Sequence, residues 1–192
     1  MRIWQRRGFI PAVLVIGLVA GFPKLFPSTI DAAINAATDS RNTEYYQVVK
    51  GSIYDGDTLR VVRGGQELKI RLCGIDAPEK DQAGGIESRD HLRSLVAQGD
   101  GFIGVLPIEK DRYSRTVVDL YVTVEEEEEI HLNSQMVVDG MAYHYEKYSG
   151  SCPQPDVLVR AEDIAKEPSV GVWMHPDTER PWEYRKRSTA RR

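Results

Sequence analysis

Two runs of alternating apolar residues, Thr58 to Arg63 and Glu67 to Cys73, meet at Gly64-Gly65, and this junction constrains the chain more than any other local signal. A Gly-Gly pair between alternating runs specifies a tight β-hairpin, because the favoured two-residue turns need positive φ at their centre. Leu68, Ile70 and Leu72 fall on one face of the second strand, which puts Arg71 on the other. Tyr46 to Ile53 supplies a β-branched and aromatic strand before the hairpin. After it, Ile86 to Ala97 takes helical spacing, with Leu92, Leu95 and Val96 as the apolar side and Gly99 as the stop. Phe102 to Ile108 and Thr116 to Val124 are two further strands. Three strands, a helix and two strands is the order of a five-stranded OB-type Greek-key barrel. The expected class is therefore α+β and rich in β, with about three helices, the others being Asn133 to Asp139 and Asp156 to Lys166.

The barrel pattern begins near residue 44, and what precedes it has another character. Gly8 to Pro23 is an uncharged, largely apolar run behind a start that carries Arg2, Arg6 and Arg7. Such flanking charge is the layout of a secretory signal, and the run is short of the roughly 20 residues that span a bilayer. Pro11, Gly17 and Gly21 interrupt it, which disfavours a buried core helix. Residues 1–43 are read as a signal peptide or membrane anchor plus a polar linker, residues 44–185 as the barrel domain, and residues 186–192 as a basic, disordered tail. The expectation is export to the periplasm or the medium, with an uncleaved anchor as the alternative and membrane contact confined to this segment.

At 41% hydrophobic and 28% charged, the chain has the make-up of a soluble globular protein, which excludes a collagen-like, polytopic or wholly disordered one. Its formal charge is −4, and because residues 1–40 carry a net +2, the remainder carries −6. No blanket positive field is available for gripping a polyanion, so a polyanionic partner has to be held by local chemistry. Glu125 to Glu129 holds five of the acids and reads as a solvated loop tip, since adjacent side chains point in different directions.

Two polar strings stand out. Asp55-Gly56-Asp57-Thr58 enters the hairpin, and Asp76-Ala77-Pro78-Glu79 leaves it. D-G-D-T alone is the composition of a turn. The second acidic group lies at the exit of the paired strand, however, so the two acidic ends are neighbours. Clustered carboxylates need positive charge between them, and a hard divalent cation such as calcium, with oxygen ligands, suits that place. Pro78 biases Ala77 toward an extended backbone that can offer its carbonyl as a ligand. Arg71 and Arg115 bring guanidinium groups fit for phosphate oxygens, and Glu79 can act on a water. Such a set suits in-line hydrolysis of a phosphodiester.

At these residues the chain resembles the micrococcal (staphylococcal) nuclease, or thermonuclease, family. The matching strings are Asp55-Gly56-Asp57-Thr58, Arg71 to Glu79 (RLCGIDAPE) and Asp111-Arg112-Tyr113-Ser114-Arg115, in that order. Asn133 to Met141, Gly171-Val172-Trp173 and Pro181-Trp182-Glu183-Tyr184-Arg185 extend the likeness, which covers about residues 45–185. The resemblance implies calcium ligation by Asp57, Asp76 and the carbonyl of Ala77, with Arg71 and Arg115 on the scissile phosphate and Glu79 as general base. It further implies DNA and RNA as substrates, 3′-phosphate products and no obligate protein partner. Arg112, Tyr113, Tyr145 and Tyr148 are candidate substrate contacts, with packing as the other reading of the tyrosines. Two positions depart from the family pattern: Ser114 stands where glycine is usual, and Ala77 where threonine is common. Only a carbonyl is needed at 77, whereas Ser114 carries a cost if positive φ is required.

Competing classes are a non-catalytic OB-type nucleic-acid-binding module and a membrane-tethered structural protein. A binding-only copy lacks acids or arginines at the site, and here Asp57, Arg71, Asp76, Glu79 and Arg115 are all present. His91, His131, His144 and His175 form no H-x-x-H pair, which argues against histidine-dependent chemistry, and Trp173 and Trp182 read as packing anchors. Cys73 and Cys152 leave two readings open, a disulfide or one buried and one exposed thiol.

Overall fold

A computed structural model describes residues 42–124, 128–175 and 177–190. The predicted signal or anchor and nearly all of its linker therefore lie outside the described residues, as do Glu125–Glu127 and Arg191–Arg192. Among the described residues no helix is long and apolar enough to cross a membrane.

The hairpin forms as expected. Strand β2 (Thr58–Arg63) pairs antiparallel with β3 (Gln66–Leu72) from Thr58 opposite Arg71 to Arg63 opposite Gln66, and Gly64 and Gly65 turn the chain at φ 57° and 79°. Strand β1 (Glu44–Val48) is shorter than predicted at its far end: Gly51 takes φ 76° and Ser52 N–H bonds back to the Val49 carbonyl, so the chain turns where Val49 to Ile53 was expected to stay extended. The Ser52 hydroxyl caps the turn against the Arg60 backbone.

The short strand β4 (Ile75–Asp76) follows, and helix α1 (Gly85–Ala97) comes next. Strands β5 (Phe102–Lys110), β6 (Thr116–Thr123) and β7 (Glu129–His131) continue the sheet, whose order is β3-β2-β1-β5-β6-β7. Parallel pairing of β3 with β6, Ile70 opposite Thr116 through Leu72 opposite Val118, closes five of the strands into the expected barrel. β7 is an addition that the sequence did not reveal. It runs antiparallel to β6 and draws Glu129, one of the acidic run, into the sheet.

Leu59, Val61, Ile70, Leu72, Ile103, Val105, Val118 and Leu120 fill the barrel, alternating with outward residues as the strand period requires. Leu92 of α1 and Leu132 and Met136 of α2 (Leu132–Val138) close its end. Strand β8 (Tyr143–His144) pairs with β4, and α3 (Pro155–Lys166) packs on α2. The last helix, α4 (Pro181–Ala190), corrects the expectation of a disordered tail from residue 186, and it brings the α-helices among the described residues to four. It shows no apolar stripe; ion pairs of Arg185 and the Trp182–Tyr145 stack hold it against the fold.

Cys73 and Cys152 are joined, with Cα atoms 5.9 Å apart, and both are buried. The bridge ties the end of β3 to the loop that precedes α3. Gly74 follows at φ 67°, and a side chain there would run into Leu158 and the Cys152 sulfur, so the close approach of the two loops requires glycine.

Candidate active site

The D-G-D-T string is more than a turn. Asp55 accepts the backbone N–H of Thr58 at 2.7 Å and of Asp57 at 3.2 Å, so it shapes the loop. Burial pushes the Asp55 carboxyl up, against the pull of the Arg71 charge. Gly56 is pressed between Ser88 of α1 and Ala77, where a Cβ would collide with both. Asp57 is thereby turned inward and is only 4% exposed. Its Oδ2 accepts the Ala77 N–H at 2.7 Å, its Oδ1 accepts the Thr58 hydroxyl at 3.1 Å, and Oδ1 also pairs with Arg71 Nη1.

Arg71 projects from the outer face of β3, as the alternation predicts, into a cluster of acids. Its Nη2 donates to Asp76 Oδ1 at 2.7 Å and to the Ile75 carbonyl at 3.0 Å. Burial lowers the basicity of this guanidinium, and the Asp76 charge opposes that effect. Asp76 is fully buried on β4, opposite Tyr143 of β8. Asn133 of α2 steadies the approach to it, donating to the Cys73 carbonyl at 3.0 Å and accepting the Leu120 N–H at 3.0 Å. Glu79 sits three residues on, with its backbone N–H held by Gln82 Oε1 at 3.2 Å.

Arg115 enters from the β5–β6 loop. Asp111 organises that loop by accepting the N–H groups of Tyr113 and Arg115 and gripping the Arg115 guanidinium through Oδ2, 2.7 Å from Nε and 2.6 Å from Nη2. Burial alone would raise the Asp111 carboxyl, but these hydrogen bonds bring it below its ordinary value. Arg115 Nη1 lies 3.4 Å from the Thr58 hydroxyl, at the edge of the acidic cluster. Ser114 takes φ 63°, the left-handed conformation that glycine adopts without penalty.

The four peripheral candidates separate by environment. Tyr113 is 71% exposed, with the Arg112 and Arg115 guanidinium groups 5.8 and 5.5 Å from its ring centre. Arg112 Nη2 is 3.4 Å from the Tyr148 hydroxyl, which links the Arg115 loop to the 3₁₀ turn Glu146–Tyr148. Tyr145 has one face covered by Trp182, at 4.8 Å and 11° between planes, and meets the Tyr148 ring edge-on.

Sequence reasoning missed Arg185. Placed by α4, its Nη1 lies 3.0 Å from Asp76 Oδ1 and 2.8 Å from Glu79 Oε1, and its Nη2 lies 2.7 Å from Asp76 Oδ2. Burial would weaken it as a base, but hydrogen bonds to Asp76 and Glu79 raise it above the ordinary arginine value. The available signal was its position three residues after Trp182, the helical spacing that puts both on one face.

Among the described residues no group of three or more His, Cys, Asp and Glu side chains has metal-holding geometry. The expected ligand set has only two side chains, Asp57 and Asp76, with a main-chain carbonyl. It is all hard oxygen, which fits calcium and not a soft metal. In this structure Arg71 and Arg185 neutralise those carboxylates, so a cation at this place would have to displace an ion pair.

A closed OB-type barrel with a carboxylate and guanidinium cluster at the mouth of its β2–β3 hairpin defines the class of this protein. A profile described as "Staphylococcal nuclease homologue" matches residues 69–175, more than half of the chain. Among curated proteins the chain is 38% identical over 146 residues to Protein ParB of Escherichia coli, covering 73% of this chain and 79% of that protein. It is 34% identical over 140 residues to a micrococcal nuclease of Shigella flexneri, covering 71% and 78%. It is also 34% identical over 158 residues to an uncharacterized endonuclease of Haemophilus influenzae, covering 82% and 80%. The chain belongs to the staphylococcal nuclease homologue family. Asp57 and Arg185 both lie outside the stretch that the profile matches.

Proposed function

We propose that this protein is a calcium-dependent, sugar-non-specific nuclease that hydrolyses phosphodiester bonds of DNA and RNA and leaves 3′-phosphate ends. The observation that carries this is the convergence of Asp57, Arg71, Asp76 and Glu79 at one rim of the barrel, with Arg115 at its edge. Family membership and the names of the relatives support nuclease activity in general. The alternative of a non-catalytic OB-type binding module leaves the buried acids and the base unexplained.

Asp57, Asp76 and the Ala77 carbonyl would hold calcium, which supplies positive charge against the charge that grows on the phosphate. Arg71 and Arg115 bind and orient the phosphate oxygens, and their planar forks suit that anion. Glu79 accepts the proton of the attacking water. The new P–O bond forms as the bond from phosphorus to the 5′-oxygen breaks, and that oxygen leaves with a proton from solvent. Tyr113 stacks on a base and seats a single strand, a role supported by its exposure beside Arg115.

Export belongs to the same proposal. The basic start and the apolar run Gly8–Pro23 support a secretory signal, and the Cys73–Cys152 bridge suits an oxidising compartment. Cleaved and anchored forms are told apart by the N-terminal residue of the protein recovered outside the cytoplasm.

The test is digestion of single-stranded DNA by the purified protein with calcium, with and without a chelator. Digestion is expected to stop on chelation and to fall below detection in the double variant Glu79→Gln, Arg115→Ala. Unchanged digestion with chelator removes calcium from the mechanism, and full activity in the double variant removes the site.

A further inference from the structure

Helix α4 is docked onto the same pair of strands that carries Asp76. Trp182 stacks on Tyr145 and meets Tyr143 edge-on at 6.0 Å, and Tyr143 is the β8 residue opposite Asp76. At the start of the helix, Gln82 donates to the Glu179 carbonyl while its own carbonyl holds the Glu79 N–H, so the base and the helix entry share one side chain. Arg187 adds a two-pronged pair to Glu179, at 2.8 and 2.6 Å. Arg185, one turn after Trp182, is thereby delivered as a fork onto both oxygens of Asp76 and one of Glu79.

We propose that Arg185 is a positioning residue of the active site which holds Asp76 and Glu79 together and sets the balance between cation and phosphate there. This rests on the hydrolytic function proposed above. In direct contact, three carboxylates (Asp57, Asp76, Glu79) face two guanidinium groups (Arg71, Arg185), a net of minus one, while Asp111 and Arg115 form a neutral pair beside them and Asp55 lies within electrostatic reach of Arg71 and Arg115. Loss of Arg185 makes the cluster minus two. A divalent cation is then held more strongly, for it meets more negative charge and has no fork competing for the Asp76 oxygens. A phosphodiester, itself an anion, is held less strongly. Opposite effects on the two ligands are the signature of this role. A helix that merely braces the fold would weaken both ligands or neither.

The experiment titrates calcium chloride calorimetrically into the wild type and Arg185→Gln without nucleic acid. It then measures kcat and KM on a short single-stranded DNA at saturating calcium for each. Removal of one partly screened charge at this distance is worth about tenfold in affinity. Calcium is expected to bind about tenfold more tightly to Arg185→Gln, and KM to rise by about the same factor. Arg185→Lys keeps the charge and is expected to bind calcium within about twofold of the wild type. Should the Gln variant fail to fold, Arg185→Met, which retains the aliphatic stem, takes its place. Calcium affinity that is unchanged or weaker in the uncharged variant overturns the role of Arg185, with the nuclease function intact if the wild type binds calcium and digests DNA. A wild type that does neither removes both.

Discussion

Asp57 Oδ2 accepts the Ala77 N–H at 2.7 Å across 20 residues of chain, which locks the loop entering the hairpin to the loop leaving it. The same carboxylate pairs with Arg71 through its other oxygen, so one buried group fixes the backbone on both sides of the site. Asp57→Ala leaves a buried N–H unpaired and part of the Arg71 charge unmatched. A loss of about 1–3 kcal/mol in folding stability is expected, together with a fall of at least about a hundredfold in hydrolysis. Urea denaturation monitored by tryptophan fluorescence measures the first effect, and an unchanged midpoint would show that the bond is dispensable.

Ser114 holds φ 63° at the tip of the loop that presents Arg115. A side chain in this conformation costs roughly 1–2 kcal/mol, part of which glycine gives back through the freedom of its unfolded chain. Ser114→Gly is therefore expected to gain about 0.5–1 kcal/mol without disturbing the Asp111–Arg115 pair. Equal or lower stability in denaturant would mean that the serine is not strained.

The Cys73–Cys152 bridge closes a sequence separation of 79 residues. On chain-entropy grounds its removal costs about 4 kcal/mol. The double variant Cys73→Ser, Cys152→Ser should unfold at correspondingly lower denaturant, with hydrolysis reduced, because Cys73 lies between Arg71 and Asp76. A midpoint equal to that of the oxidised wild type would contradict this.

His144 lies opposite Ile75 on the strand pair that bears Asp76, with its Nε2 2.8 Å from the Ser149 hydroxyl. Burial lowers its affinity for a proton, so as pH falls the unfolded chain takes up the proton first. This contribution to stability is complete above about pH 6.5 and is lost as pH drops through the lower folded value. Thermal melts between pH 8 and pH 5 should show a smaller decline for His144→Gln than for the wild type. Parallel declines would place the effect elsewhere.

Much of the barrel was legible in the chain because its signals are local. Gly64-Gly65 needs no distant partner to make a turn, and the alternation of Leu68, Ile70 and Leu72 already implies the outward direction of Arg71. Gly51 was a local signal too: within the β-branched run Tyr46 to Ile53, the turn-forming Gly51-Ser52 ended β1 early, at a positive φ. β7 was hidden, since Glu129 to His131 is too short and too polar to announce a strand without β6 beside it.

By itself the sequence determined which chemical groups this protein possesses and the order in which a barrel brings them round: two acidic strings flanking a hairpin, and an arginine loop before the last barrel strand. Only the tertiary structure decided what stands against what. Cys73 meets Cys152 and Arg185 meets Asp76 across separations of 79 and 109 residues, and no periodicity reports on such pairs. Whether they meet is settled by how the barrel, the β4–β8 pair and the Tyr145–Trp182 stack close in space, where the gain from burying and pairing groups outweighs the entropy of bringing distant segments together.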